Sequence, residues 1–212
     1  MFVRVDLSAV AQRLYEKVID ELESSRNPDY TGVFRERFKR LVLLLIRFCQ
    51  VRTDSVGSKY SYLRRFEKRS DAPLEFALQD DLATFLIAQG EVQLEKTDIA
   101  SGRADIYLPQ PLRPSFRFII EIKRLLATWT EEAIGGFLRQ TTAYQQTDLR
   151  LGFLAALDLS DRPAGFPHLD NCVYLAERQI SSIDVRHAVI VRVPGNRRTP
   201  SDDTEVEAAA TR

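Results

Sequence analysis

The chain has 212 residues, its 30 lysines and arginines balance 30 aspartates and glutamates, and it carries only two cysteines. That length suits one domain of ordinary size, or one core with an appended helical region, and buries a hydrophobic centre without needing disulfides. The longest apolar run, residues 41–46, is far shorter than the roughly 20 residues of a membrane span. No charged and apolar leader opens the chain, so a soluble, cytoplasmic protein is expected. Cys49 and Cys172 stand in no CxxC or Cys/His cluster and are expected to be reduced core thiols.

In chain order, residues 6–24 carry Val10, Leu14, Val18, Ile19 and Leu22 at helical spacing, with Asp6 or Ser8 as the N-cap. Residues 27–32 break that helix, and a second is predicted over 33–52 with Phe34, Phe38, Leu41, Val42, Leu45 and Cys49 on one face. Between Val33 and Arg69 eleven basic residues face three acidic ones, so this stretch is net +8 and the rest of the chain −8. Such asymmetry points to nucleic-acid contact or to a solvated helix face. Within it, residues 59–66 interleave basic and aromatic side chains, a pattern suited to gripping a sugar-phosphate backbone while offering rings for stacking. A helix packing its aromatics inward is the other reading. Lys59, Arg64, Arg65, Lys68 and Arg69, together with Arg103, are the candidate nucleic-acid contacts.

The pattern changes at residues 71–73. Leu74, Leu78, Leu82, Phe85 and Leu86 predict a helix over 74–89, stopped by Gly90. The period then shortens to two: strands are predicted over 91–96, 104–108 and 116–123, followed by a helix from a Thr130 cap to about Gln146 and further strands over 151–157 and 188–193. The fold class is α/β. Residues 1–70 form an N-terminal helical, partly basic region, 71–194 the core, and 195–212 a polar tail expected to be loose.

Chemistry concentrates in two stretches, Gly102-Arg103-Ala104-Asp105-Ile106 and Ile120-Glu121-Ile122-Lys123-Arg124. In an extended strand alternate side chains share a face, so Glu121 and Lys123 project together while Ile120 and Ile122 enter the core. If the strand of Asp105 pairs beside them, two carboxylates and an ammonium converge. Such a set of hard oxygen ligands suits Mg²⁺ or Mn²⁺. The site is expected to border a solvent-filled cleft, where removal of one charge would leave stability unchanged or slightly raised.

This pair of motifs, with a helix before and after, resembles the PD-(D/E)xK, or restriction-endonuclease-like, nuclease superfamily over residues 74–193. The resemblance implies a core of helix, three antiparallel strands, helix and further strands in a mixed central sheet. It implies Mg²⁺ or Mn²⁺ held by Asp105, Glu121 and the main-chain carbonyl of Ile122, with Lys123 assisting the attacking water. An acid from the first core helix completes the set, with Glu75 as first choice and Asp81 as second. Gln140 and Tyr144, four apart on the following helix, match the Gln-x-x-x-Tyr of many members and would contact a phosphate or position Lys123. The implied activity is endonucleolytic cleavage of DNA, with RNA as the alternative substrate, in an effector of restriction or anti-phage defence acting as a homo-oligomer or in a larger complex. A catalytically inactive binding or assembly module on the same fold is the competing expectation. The proline usual before the catalytic Asp is Ala104 here. Glu95 reads as an extra ligand or a strand-edge charge, and neither His168 and His187 nor the serines and cysteines form a nucleophilic or HNH-type arrangement. No phosphate-binding GxxxxGK[ST] loop occurs.

Overall fold

The computed structural model describes residues 7–55, 59–90, 105–110, 113–144, 149–162 and 167–197. Four helices are described: α1 (Ala9–Ser24), α2 (Gly32–Asp54), α3 (Glu75–Ala88) and α4 (Glu131–Tyr144). Five strands accompany them: β1 (Asp105–Gln110), β2 (Arg113–Leu125), β3 (Leu151–Asp158), β4 (Val173–Gln179) and β5 (Val185–Pro194). The strands form one mixed sheet in the order β1-β2-β3-β5-β4. β2, β3 and β5 run parallel through its centre, while β1 and β4 lie antiparallel at the edges. No helix among the described residues is long and apolar enough to cross a membrane.

Local signals explain most boundaries. Ser8 caps α1, its hydroxyl accepting the Ala11 N–H, and Thr130 does the same for α4 through Ala133. Gly90 closes α3 at a φ of +83°, in the left-handed region that glycine tolerates. Helix α2 is more deeply seated than a one-sided stripe requires. Phe38, Leu41, Val42, Leu44, Leu45, Ile46, Phe48 and Cys49 are all buried, because α1, α3 and the sheet enclose it on several sides.

One hydrophobic cluster therefore joins α1, α2 and α3 to one face of the sheet, so the N-terminal helices form a wall of the same core. Phe38 stands at its centre. Its ring stacks on Phe153 of β3 with centroids 4.4 Å apart and meets Phe118 of β2 edge-on at 5.5 Å, an arrangement favoured by the ring quadrupoles. On the opposite face α4 lays Ile134 and Leu138 over Leu125, Leu154, Ala188 and Ile190. The central sheet is thus covered on both sides, and all eight residues of β3 are buried.

Three sequence expectations need correction or completion. Residues 59–66 form no α-helix: they hold one 3₁₀ turn, Ser61–Leu63, and a second follows at Arg69–Asp71. Strand β4 was not anticipated. The chain also stays anchored past β5, since Arg197 N–H bonds the Leu63 carbonyl and its guanidinium bonds the carbonyls of Pro194, Thr53 and Ser55. The strand predicted over 91–96 lies outside the described residues.

Candidate metal centre

The β1–β2 register places Asp105 directly across from Glu121. Paired positions of an antiparallel ladder share a sheet face, so the backbone puts both acids on the α4 side. The side chain of Asp105 lies outside the described residues, as do Glu95 and Arg103. Two residues beyond Glu121, Lys123 projects from the same face and its Nζ lies 2.5 Å from Glu121 Oε1. Ile120 and Ile122 point to the opposite face and are fully buried in the main core.

Glu121 is 0 % exposed and Lys123 only 9 %. The expectation of a solvent-filled cleft around both is thus overturned, because α4 covers this face of the sheet. Moving a carboxylate out of water costs several kcal/mol unless a cation and hydrogen bonds compensate it. The ammonium at 2.5 Å is such a cation.

Glu75 begins α3, and its Oε1 accepts the Arg124 main-chain N–H at 3.1 Å. The Arg124 guanidinium bonds the Pro73 carbonyl at 3.1 Å and fastens the start of α3 to the end of β2. Successive main-chain groups of a strand point to alternate edges. The Ile122 carbonyl is thereby directed to the same edge as the Arg124 N–H that Glu75 accepts, past Asp105, the first residue of β1. A helix N-terminus also favours a carboxylate in its first turn. Glu75 therefore stands at the right edge for a hard cation shared with the Ile122 carbonyl.

Asp81 does not. Arg52 grips it with two hydrogen bonds of 2.6 and 2.7 Å, and the Tyr62 hydroxyl donates a third at 2.6 Å. Burial and the Asp81 charge push the Tyr62 phenol far up, so it stays a donor. This network ties α2, the 3₁₀ turn and α3 together.

On α4 the buried side is Ile134, Leu138, Thr141 and Thr142, whereas Gln140 is exposed. The Tyr144 side chain lies outside the described residues. Among the described residues no group of three or more His, Cys, Asp and Glu is gathered at metal-binding distance.

The basic segment divides into two parts. Arg35 and Lys39 both pair with Glu23 of α1, at 2.7 and 3.0 Å, and Arg40 bonds the Gln89 carbonyl, so much of the charge on α2 secures helix packing. Lys59, Arg64, Arg65, Lys68 and Arg69 are exposed.

Sequence reasoning missed a second buried acid. Asp158, at the end of β3, is 0 % exposed and accepts from Arg162 (2.5 Å), Arg192 (2.7 Å), Ser160 N–H (3.0 Å) and Ser160 hydroxyl (2.6 Å). Trp129 lies against the Arg192 guanidinium at 4.6 Å. An aspartate closing an apolar strand, followed by Ser160 and Arg162, was the available signal. Family models, curated proteins and solved structures compared with the chain give no match.

Proposed function

We propose that this chain is a metal-dependent endonuclease of the restriction-endonuclease-like kind, hydrolysing phosphodiester bonds foremost in DNA. The supporting observation is the β1–β2 register, which sets Asp105 opposite Glu121 with Lys123 on the same face and paired to it at 2.5 Å. The donor set fits a hard divalent cation: two facing carboxylate positions, the Ile122 carbonyl and Glu75 at the same edge. When bound, Mg²⁺ or Mn²⁺ would supply a Lewis acid and lower the pKa of water.

The chain's own groups then have separate tasks. Glu75 stays oriented through the Arg124 N–H, and Glu121 is fixed by burial. Lys123 offers ammonium protons to the attacking water or to the developing phosphate charge. In hydrolysis the water oxygen bonds to phosphorus, the P–O bond to the leaving nucleotide breaks, and a proton passes to the departing oxygen. A role as an effector in restriction or anti-phage defence belongs to the same proposal, by resemblance alone.

The burial of Glu121 and Lys123 favours a second reading, a structural ion pair in a non-catalytic DNA-binding or assembly module. Plasmid DNA incubated with purified protein in Mg²⁺, Mn²⁺ or EDTA separates the two. Cleavage that needs the metal and is abolished by Glu121→Ala and by Lys123→Ala, with metal binding lost chiefly in the first, supports the nuclease. Variants that cut like the parent, or a parent that never cuts, support the module.

A further inference from the structure

We propose that the cleft at the carboxyl end of the sheet binds a nucleoside phosphate, at a site separate from the Glu121–Lys123 pair. The cleft has a volume of about 720 Å³ and is lined by Arg65, Phe66, Glu67, Arg69, Leu126, Leu159, Asp161 and Asn196. Its size falls within the roughly 300–1,000 Å³ of small-molecule sites. Leu126 follows β2, Leu159 and Asp161 follow β3, and Asn196 follows β5, so one wall is built from the ends of all three parallel strands. The crevice outside those ends is where open α/β sheets receive ligands. The opposite wall is the basic segment between α2 and α3.

The lining divides by chemistry. Phe66, Leu126 and Leu159 pack against the main core and offer an apolar, partly aromatic surface of the kind on which a base stacks. Arg65 and Arg69 are exposed and supply guanidinium forks that match phosphate oxygens. Asn196 is held with φ +48°, and its Nδ2 donates to the Leu159 and Ser160 carbonyls at 3.3 and 3.4 Å. What Asn196 offers a ligand is therefore its acceptor oxygen, suited to an exocyclic amine. Glu67 and Asp161 add acceptors suited to sugar hydroxyls. Two carboxylates also oppose a bare inorganic anion, which selects for a ligand carrying donors as well as phosphate.

The cleft and the ion pair share one end of the sheet but not one face. Leu126, Leu159 and Phe66 belong to the α1–α2–α3 side, whereas Glu121 and Lys123 project toward α4. The proposal does not depend on cleavage.

Isothermal titration calorimetry of the full chain with AMP, adenosine, inorganic phosphate and a 5′-phosphorylated tetradeoxynucleotide tests it. AMP should bind with a Kd between micromolar and millimolar, and adenosine or phosphate at least tenfold more weakly. The exposed double variant Arg65→Ala/Arg69→Ala, which should melt with the parent, should lose at least tenfold in AMP affinity. Glu121→Gln should bind AMP unchanged, so a failed nuclease reading and a failed cleft are separate results. Tighter binding of the tetranucleotide than of AMP would assign the cleft to a strand end, and weaker binding to a free nucleotide; either keeps the proposal. Absence of AMP binding at millimolar concentration, phosphate binding as well as AMP, or affinity indifferent to the two arginines would overturn it.

Discussion

Lys123→Ala removes the ammonium 2.5 Å from a carboxylate that is 0 % exposed. Truncating one partner of a buried pair costs about 3–5 kcal/mol, because the remaining charge keeps its desolvation penalty without its counter-charge. In a chain of this size 1 kcal/mol moves the melting temperature by roughly 2–4 °C, so the variant should melt about 6–20 °C below the parent. The near-isosteric double variant Glu121→Gln/Lys123→Met removes both charges and should recover most of that loss. Thermal unfolding followed by circular dichroism in EDTA reads both effects. Repeating it in Mg²⁺ tests the cation site independently of activity. At a hundredfold excess over its Kd a ligand adds about 2.7 kcal/mol, which is roughly 5–11 °C here. This gain should appear in Lys123→Ala and vanish in the double variant. If Lys123→Ala melts with the parent in EDTA, Glu121 is solvated and the burial argument fails. An equal Mg²⁺ response in both variants would remove Glu121 from the metal site.

The two candidate acids of α3 should fail differently. Asp81→Asn leaves the buried Arg52 guanidinium without its carboxylate and should cost on the order of 3 kcal/mol in thermal unfolding while sparing DNA cleavage. Glu75→Gln can still accept the Arg124 N–H, so cleavage and Mg²⁺ affinity should drop while melting stays near that of the parent. His187 is buried with its Nδ1 2.9 Å from the Asn27 amide nitrogen, and burial holds its pKa below the ordinary 6.5 despite Glu177. The folded state therefore binds the proton less well than the unfolded one. Stability should be complete above pH 6.5, fall as the pH drops below it, and level off only below the lowered value. Urea titrations at stepped pH should show a shallower fall for His187→Gln. Reversing Arg64, Arg65, Lys68 and Arg69 to Glu should weaken DNA binding and flatten its dependence on salt concentration, measured by fluorescence anisotropy; an unchanged slope would make this segment a solvated face.

Where local chemistry dictates structure, the sequence was readable. The Ser8 and Thr130 caps, the Gly90 stop and the alternation around Ile120 and Ile122 each act within a few residues, and they located α1, α3, α4 and β2. The facing of Asp105 and Glu121 was conditional on the pairing of their strands, and the β1–β2 register supplies it. What the sequence hid depends on partners distant in the chain. The burial of Glu121 is imposed by α4, whose Ile134 and Leu138 cover the second face of the sheet. Glu75 and Asp81 flank the same helical stripe, and only Arg52 and Tyr62, 29 and 19 residues away, decide between them. Strand β4 ends in Glu177-Arg178-Gln179 and owes its conformation to pairing with β5. Residues 59–66 lost their helical reading because the neighbouring Tyr62 and Leu63 are both drawn into the core from a single 3₁₀ turn.

Two buried acids, Glu121 and Asp158, sit on the α4 face of the sheet, and their surroundings assign them different work. Asp158 receives four hydrogen bonds, two of them from the guanidinium groups of Arg162 and Arg192, a shell that leaves a carboxylate little capacity for a further cation. It is a structural anchor holding Arg162 and Arg192. The register sets Lys123, Ala156 and Arg192 in one row across the sheet, so Lys123 and Arg192 stand two strand spacings apart, about 9–10 Å between backbones. The Glu121–Lys123 pair is neutral in sum, whereas one aspartate with two arginines leaves a positive charge over β3 and β5. On the nuclease reading, bond cleavage belongs at β2, while Asp158 with its two arginines ties together the ends of β3 and β5.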